Sequence, residues 1–424
     1  MRNLPVRPST PCRKLLAIAA GLLILSACGE NRLEASVQPG IERTEQRSET
    51  FSQWRDDFRS QALAAGVSAQ LFDRAFRDVE PDPAVLKADS SQPEFTRPVW
   101  EYLEGAMSSQ RQATGRMMLS RHAGILQQIE ARYGVDRHIL VAIWGLESNF
   151  GSNMGDRSVI RSLATLAHQG RRSGFAQSQL LAALEILQRG DVSIDGMVGS
   201  WAGAMGQTQF IPTTYNDYAV DFDGNGKRDI WQTEADALAS AANYLRASNW
   251  QTGARWGMEV RLREGFDYAL ADMSIRKPLA EWAQLGVTDA HGQPLDSRST
   301  SEATLILPAG HRGPAFLVKN NFRSILRYNN STSYALAIAL LAERFQGSGE
   351  IRASWPTDDQ PLSRTERLEL QERLEAQGFD PGSVDGIIGA NTRQAIRRLQ
   401  IALGWPADGY PDQQLLKALR HKEN

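Results

Sequence analysis

Apolar residues recur at three- and four-residue steps through Ile139, Leu140, Ile143 and Trp144, the spacing of a buried helical face. Asp136, just after Gly134-Val135, is placed to cap this helix, and Gly151 lies beyond its end. Glu147 falls seven positions after Leu140 and continues the apolar stripe into the last turn. A carboxylate therefore stands where an apolar side chain is expected. Burial beside Trp144 would disfavour its charged form and raise its pKa, keeping a Glu protonated as a general acid near neutral pH. The alternative is a helix end leaning into solvent, where a Glu is commonplace.

The same periodicity predicts helices around Phe51, Trp54 and Phe58, around Leu71 to Phe76, over Met117 to Tyr133, Ser178 to Gly190 and Ala235 to Ser248, and from Ser331 to Phe345. Glu80 to Pro98 is Pro-rich and interrupts this pattern; Phe95, Trp100 and Tyr102 are expected to pack onto the main body. Period two replaces it at Met258 to Arg263 and in parts of Ala303 to Leu307 and Ala315 to Val318, predicting a small β subdomain. After Gln346 to Pro361, read as a linker, helices around Leu368 to Leu374, from Thr392 and over Gln413 to Leu419 predict a small C-terminal domain.

The N-terminal segment differs from all of this. Arg2, Arg7, Arg13 and Lys14 precede the apolar run Leu15 to Leu25, followed by Ser26-Ala27-Cys28-Gly29. That is the layout of an export signal, too short to span a membrane as a stable helix. Leu25 to Cys28 also resembles the bacterial lipobox, which implies that residues 1–27 are removed and Cys28 is lipidated. Gly29, rather than an acid, after the Cys implies sorting to the outer membrane. An ordinary signal peptide with an incidental Cys is the alternative. Residues 28–50 read as a flexible polar spacer.

Composition narrows the field. The 424 residues carry 42% hydrophobic and 23% charged side chains, as an ordinary globular protein does, and the formal net charge is -2. That balance speaks against nucleic acid as a partner. Cys12 and Cys28 are the two cysteines, so a disulfide framework or Cys-based metal site is excluded beyond the leader. The six His show no metal spacing and no Gly-x-Ser-x-Gly elbow occurs, leaving a serine hydrolase unsupported.

Four further clusters could carry chemistry. Ala202 to Pro212 combines small residues, for close backbone approach, with the amides of Gln207 and Gln209 and the ring of Phe210. It suits sugar recognition and equally a tight helix-packing turn. Asp221, Asp223 and Asn225, with Gly226 sixth, Lys227 seventh and Asp229 ninth, follow the opening of an EF-hand loop. Gln232 occupies the twelfth position, where a bidentate Glu belongs, so weak or unusual cation binding is expected. Arg171-Arg172, with Phe175 nearby, could hold carboxylates or form a solvated face. Arg327-Tyr328-Asn329-Asn330-Ser331 precedes the last helix of this region, where Asn330 or Ser331 could serve as an N-cap.

Ile143 to Gly151, Arg171-Arg172, Gly203 to Gln207, the Asp221 loop and Arg327 to Asn329 occur in order, and together they resemble the membrane-bound lytic murein transglycosylase B family. The resemblance covers about residues 51–345. Leu370-Gln371, Gly378-Phe379-Asp380, Asp385-Gly386, Gly389, Thr392, Ala395-Ile396 and Gln400 resemble the three-helix peptidoglycan-binding domain, placed at residues 362–421. The implied fold is mainly α (α+β): a lysozyme-like catalytic core with a helical lobe and a β subdomain over about residues 256–320.

The implied activity is non-hydrolytic cleavage of the MurNAc–GlcNAc β-1,4 bond of peptidoglycan, with Glu147 as the single acid/base. Gln209, Phe210, Tyr244, Tyr328 and Asn329 would line the saccharide groove, and Arg171 and Arg172 would face lactyl or stem-peptide carboxylates. No cofactor is required; a structural Ca2+ or Na+ would sit on Asp221, Asp223, Asn225, the Lys227 carbonyl and Asp236 as final ligand. The implied partners are glycan strands and, through a lipid anchor, the periplasmic face of the outer membrane.

A hydrolysing muramidase would need a second acid, for which Asp156 and Asp195 are the loose candidates. A wall-binding scaffold without catalysis is the rival from another class.

Overall fold

The computed structural model describes residues 50–90 and 97–421. The leader, Cys28, the spacer up to residue 49 and Phe95 lie outside them. The described residues form one compact unit, and among them no helix is long and apolar enough to cross a membrane.

The chain begins with α1 (Phe51–Ala64), α2 (Ala69–Ala75), α3 (Pro83–Ser90), α4 (Val99–Ala106), α5 (Ser109–Arg121) and α6 (Ala123–Tyr133). The stretch read as one helix over Met117 to Tyr133 is two. His122 caps both, at φ -103° and ψ 19°, and the break lets α6 turn against the main core. Next comes α7 (Arg137–Ser148), which carries Glu147. Asp136 caps it by accepting from the His138 N–H. Every residue from Ile139 to Gly145 is buried, so α7 is enclosed on all sides.

A two-stranded ladder pairs β1 (Arg157–Ser158) with β2 (Val198–Gly199) around α8 (Val159–Gln169) and α9 (Ser173–Arg189). After α10 (Pro212–Tyr218) and α11 (Glu234–Ala247) the chain changes character. β3 (Gly257–Arg261), β4 (Lys277–Pro278), α12 (Leu279–Gln284), β5 (Thr288–Asp289), β6 (Glu302–Ile306) and β7 (Ala315–Val318) follow. The strands form an antiparallel sheet in the order β4-β6-β7-β3-β5. Its central strand β7 is buried at every position, with Leu317 in a core built on Trp282, and Phe316 facing the helices.

The chain then returns to helix in α13 (Asn320–Tyr328) and α14 (Thr332–Phe345). α14 is buried from Tyr334 to Ala342 and packs along α7.

Residues 346–361 hold neither helix nor strand, yet they are laid onto the body. Trp355 packs near Trp100 with ring centroids 6.3 Å apart, and the Glu259 carboxylate accepts the Arg352 and Ala353 N–H groups. α15 (Arg364–Ala376), α16 (Ala390–Ala402) and α17 (Gln413–His421) then close over their own core of Leu370, Leu374, Ile396, Leu399 and Leu416. This unit is docked through charge: Arg397 reaches Asp272 at 2.6 Å, and buried Asp408 accepts from the His311 N–H at 2.8 Å.

Candidate active site

α7 ends abruptly beside Glu147. Asn149 and Phe150 both take left-handed backbone, at φ 48° and 59°, and the Phe150 N–H closes the turn onto the Trp144 carbonyl. This fold-back brings the Phe150 ring over Gly145, where a Cβ would lie 2.8 Å from it. Residue 145 can therefore only be glycine without displacing Phe150.

A second segment locks this corner. Ser148 Oγ donates to the Gln207 carbonyl at 2.7 Å and accepts from the Gly151 N–H. Trp144 Nε1 donates to Gln207 Oε1 at 2.8 Å, while Gln207 Nε2 donates to the Trp231 carbonyl. Gln207 is 4% exposed; its amide is consumed in holding α7 to the 203–210 segment. Of the two readings of that segment, Gln207 serves helix packing.

Glu147 itself is partly open to solvent but is crowded by protein. Among the described residues its one side-chain hydrogen bond comes from the Tyr334 hydroxyl, 2.5 Å from Oε1. Desolvation raises the carboxyl pKa to about 7, against which the Tyr334 bond pulls downward. Among the described residues no second carboxylate contributes to this shift. Asp156 and Asp195 are both exposed, and neither bonds Glu147. Burial, and then the Glu147 charge, push the Tyr334 phenol well above its ordinary value, so it stays a hydrogen-bond donor.

Tyr334 is absent from the sequence-derived site. The signal was nevertheless there. A Tyr three residues after the N-cap Ser331 opens the apolar run Ala335 to Ala342, and a buried phenol needs a partner.

The remaining candidates divide. Tyr328 is partly exposed, donates to the Thr208 carbonyl at 2.8 Å and feels the Glu147 charge. Tyr244 packs edge-on against it and donates to the Arg327 carbonyl. Gln209, at φ 50°, spends its amide nitrogen on the Met154 and Gly206 carbonyls. Asn329 is exposed at the end of α13.

Phe210 corrects an expectation. It is 2% exposed, wedged against Tyr244 and Tyr328, because the 205–210 bridge turns its ring inward. It backs the aromatic wall and offers no open stacking face. Arg171 is tied to Asp89 through both its backbone N–H and its guanidinium, whereas Arg172 lies over the Phe175 ring at 4.4 Å.

Away from Glu147, carboxylate oxygens of Asp221, Asp223 and Asp236 lie within 4.8 Å of one another. Asp236, in the first turn of α11, is fully buried and accepts the N–H groups of Phe222, Asp223 and Asp229. Asn225 sits in the same turn, its side-chain oxygen accepting the Lys227 N–H. Asp229 instead caps Trp231 and Gln232. Three convergent carboxylates are an all-oxygen set suited to a hard cation.

Comparison with known proteins adds to this geometry. The Transglycosylase SLT domain family matches residues 50–343, and a peptidoglycan binding domain family matches residues 363–419. Membrane-bound lytic murein transglycosylase B of Escherichia coli (strain K12) is 33% identical over 217 residues, which span 50% of this chain and 57% of that enzyme. The crystal structure of SltB3 from Pseudomonas aeruginosa in complex with NAG-anhNAM-pentapeptide is 64% identical, with a TM-score of 0.86 over 88% of this chain and 100% of that one. Escherichia coli lytic transglycosylase Slt35 in complex with calcium is 26% identical, with a TM-score of 0.59 over 70% of this chain and 93% of that one.

Proposed function

We infer the mechanism from one premise: this chain belongs to the Transglycosylase SLT domain family, and it is a lytic transglycosylase of peptidoglycan. The observation that carries the chemical step is the lone, desolvated Glu147 with its pKa near 7. At neutral pH a large share of it is protonated. It donates that proton to the glycosidic oxygen as the bond from the MurNAc anomeric carbon breaks. The resulting carboxylate then takes the proton of the MurNAc 6-hydroxyl as that oxygen bonds to the anomeric carbon, closing a 1,6-anhydro ring and restoring the acid. No water is added and no second carboxylate is needed, in contrast to a two-acid hydrolase. Tyr334 holds Oε1, which leaves Oε2 to carry the proton.

Tyr244, Tyr328, Gln209 and Asn329 form the saccharide wall of this reading, with Phe210 behind it. Of the Arg171-Arg172 pair, Arg172 is the one free to meet substrate carboxylates, since Asp89 engages Arg171. A Ca2+ or Na+ would be held by Asp221, Asp223 and Asp236 with Asn225 and the Lys227 carbonyl, bracing the loop that leads into α11. The calcium complex of Slt35 supports that reading. The export signal supports a further proposal: Cys28 carries the lipid, residues 362–421 bind the wall, and the enzyme works at the periplasmic face of the outer membrane.

Mass spectrometry of muropeptides released from purified sacculi tests the activity. Products ending in 1,6-anhydro-MurNAc, lost in Glu147→Gln while sacculus binding persists, are expected. Reducing MurNAc ends would mean a hydrolase. Binding without release would leave a scaffold.

A further inference from the structure

A cavity of about 540 Å³ opens between the end of the sheet where β6 begins and β7 finishes and the start of α13. Its walls carry Arg255, Arg276, Lys319 and Arg323, against one carboxylate, Glu302. Four cations meet one anion in a concavity of a chain whose formal net charge is -2, so the excess is local to this cavity.

The charge is also poorly neutralised. Arg276 and Glu302 meet only at 4.0 Å, both substantially exposed, a geometry that contributes little. Arg255 reaches Glu343 at 3.4 Å, but that oxygen already accepts the Trp256 indole. Arg323 binds neutral acceptors through one nitrogen, the Met273 carbonyl and Thr304 Oγ1. Among the described residues Lys319 has no carboxylate partner. Partial burial, and then the neighbouring cations, lower the pKa of both Lys319 and Arg323, as expected of partly buried positive groups held close together. Lys319 is also the N-cap of α13, whose first turn has no side-chain cap.

Arg323 and Tyr328 share α13, ~7.5 Å apart along its axis with ~140° of turn between them. Arg323 faces the sheet and Tyr328 the saccharide wall, so the cavity lies across the helix from that wall. Neither Glu147, Tyr334 nor Tyr328 lines it.

We propose that this cavity is a second ligand site, which receives the carboxylates of a peptide stem carried by the glycan strand. It rests on the peptidoglycan reading above. Neutral sugar hydroxyls need no cluster of cations, whereas peptide carboxylates pair with guanidinium and ammonium groups. The volume is that of a site for a small organic ligand, larger than one inorganic anion requires. The ligand of SltB3 carries a pentapeptide, which makes peptide carboxylates the relevant anion.

The test uses the full chain and a soluble stem pentapeptide, titrated calorimetrically. Lys319→Met with Arg255→Gln keeps side-chain bulk while removing two charges, and a thermal melt verifies folding. We expect pentapeptide affinity to fall about tenfold, and the carboxamide form of the peptide to bind the parent protein as weakly. On peptide-bearing glycan strands KM should rise severalfold with kcat unchanged, while strands stripped of peptide shift less than twofold. Unaltered pentapeptide affinity, or an equal loss on both strand types, overturns the proposal. So does displacement of the peptide by inorganic phosphate at equal concentration, which would mark a general anion trap. Failure of the parent protein to cleave either strand type would sink the transglycosylase reading instead, and the peptide titration would still decide this one. Single Lys319→Met and Arg276→Gln variants repeat the titration if the double variant does not fold.

Discussion

The Tyr334 hydroxyl donates to Oε1 of Glu147 across 2.5 Å, joining residues 187 positions apart in the chain. α7 and α14 pack along one another, so the bond spans the two most buried helices of the main core. It fixes one carboxylate oxygen and moderates the upward push of desolvation on the acid.

The pH profile follows from that balance. Activity requires protonated Glu147, so kcat/KM should fall as pH rises through about 7. In Tyr334→Phe the bond that lowers the pKa is gone, so this alkaline limb should move to higher pH. kcat should drop roughly tenfold from lost orientation, an effect of the size one positioning hydrogen bond carries. A rate profile on soluble glycan strands reads both; an unmoved limb would disconnect Tyr334 from the acid.

Glu147→Gln should abolish turnover yet stabilise the protein. Folded Glu147 titrates near 7 against 4.5 unfolded. Between these values the folded state holds more protons, so the native state loses stability as pH rises across that window. The amide does not ionise. At pH 8 the variant should gain roughly 1–3 kcal/mol, discounted for partial solvent access, and below pH 4 the difference should vanish. Urea titrations at both pH values measure it.

Gln207→Ala should strike stability and activity together. It leaves the Trp144 indole N–H and the Trp231 carbonyl without their partners, at a cost of roughly 2–5 kcal/mol for two buried groups. Thermal melting should register the loss. The residual folded enzyme should show lower kcat, because the end of α7 is no longer held.

Calcium should act on stability rather than on the chemical step. A ligand that binds only the folded state at a hundredfold excess over its Kd adds about 2.7 kcal/mol. Melting temperature should rise with added CaCl2, fall with a chelator, and respond to neither in Asp221→Ala. Turnover per folded molecule should change little. A chelator-insensitive melt in the parent protein would count against a cation on this loop.

Local pattern made α7, its Asp136 cap, the antiparallel sheet and the C-terminal helices legible, because periodicity and capping act over a few neighbouring residues. Glu147 stood out for the same reason: it breaks the rule of its own stripe. The division of Met117 to Tyr133 into two helices was hidden, since a single His at a helix junction carries no strong breaker signal.

The sequence by itself therefore determined which segments are helices and strands, and that one carboxylate lies on an apolar face. Tertiary structure alone decided what that carboxylate meets. Tyr334, Gln207 and the four cations beside β6 converge from positions far apart in the chain, and Phe210 turns inward because its bridge and its aromatic neighbours leave it no outward path. Hydrogen bonding, desolvation and charge crowding depend on distance in space, and no local spacing along the chain encodes that distance.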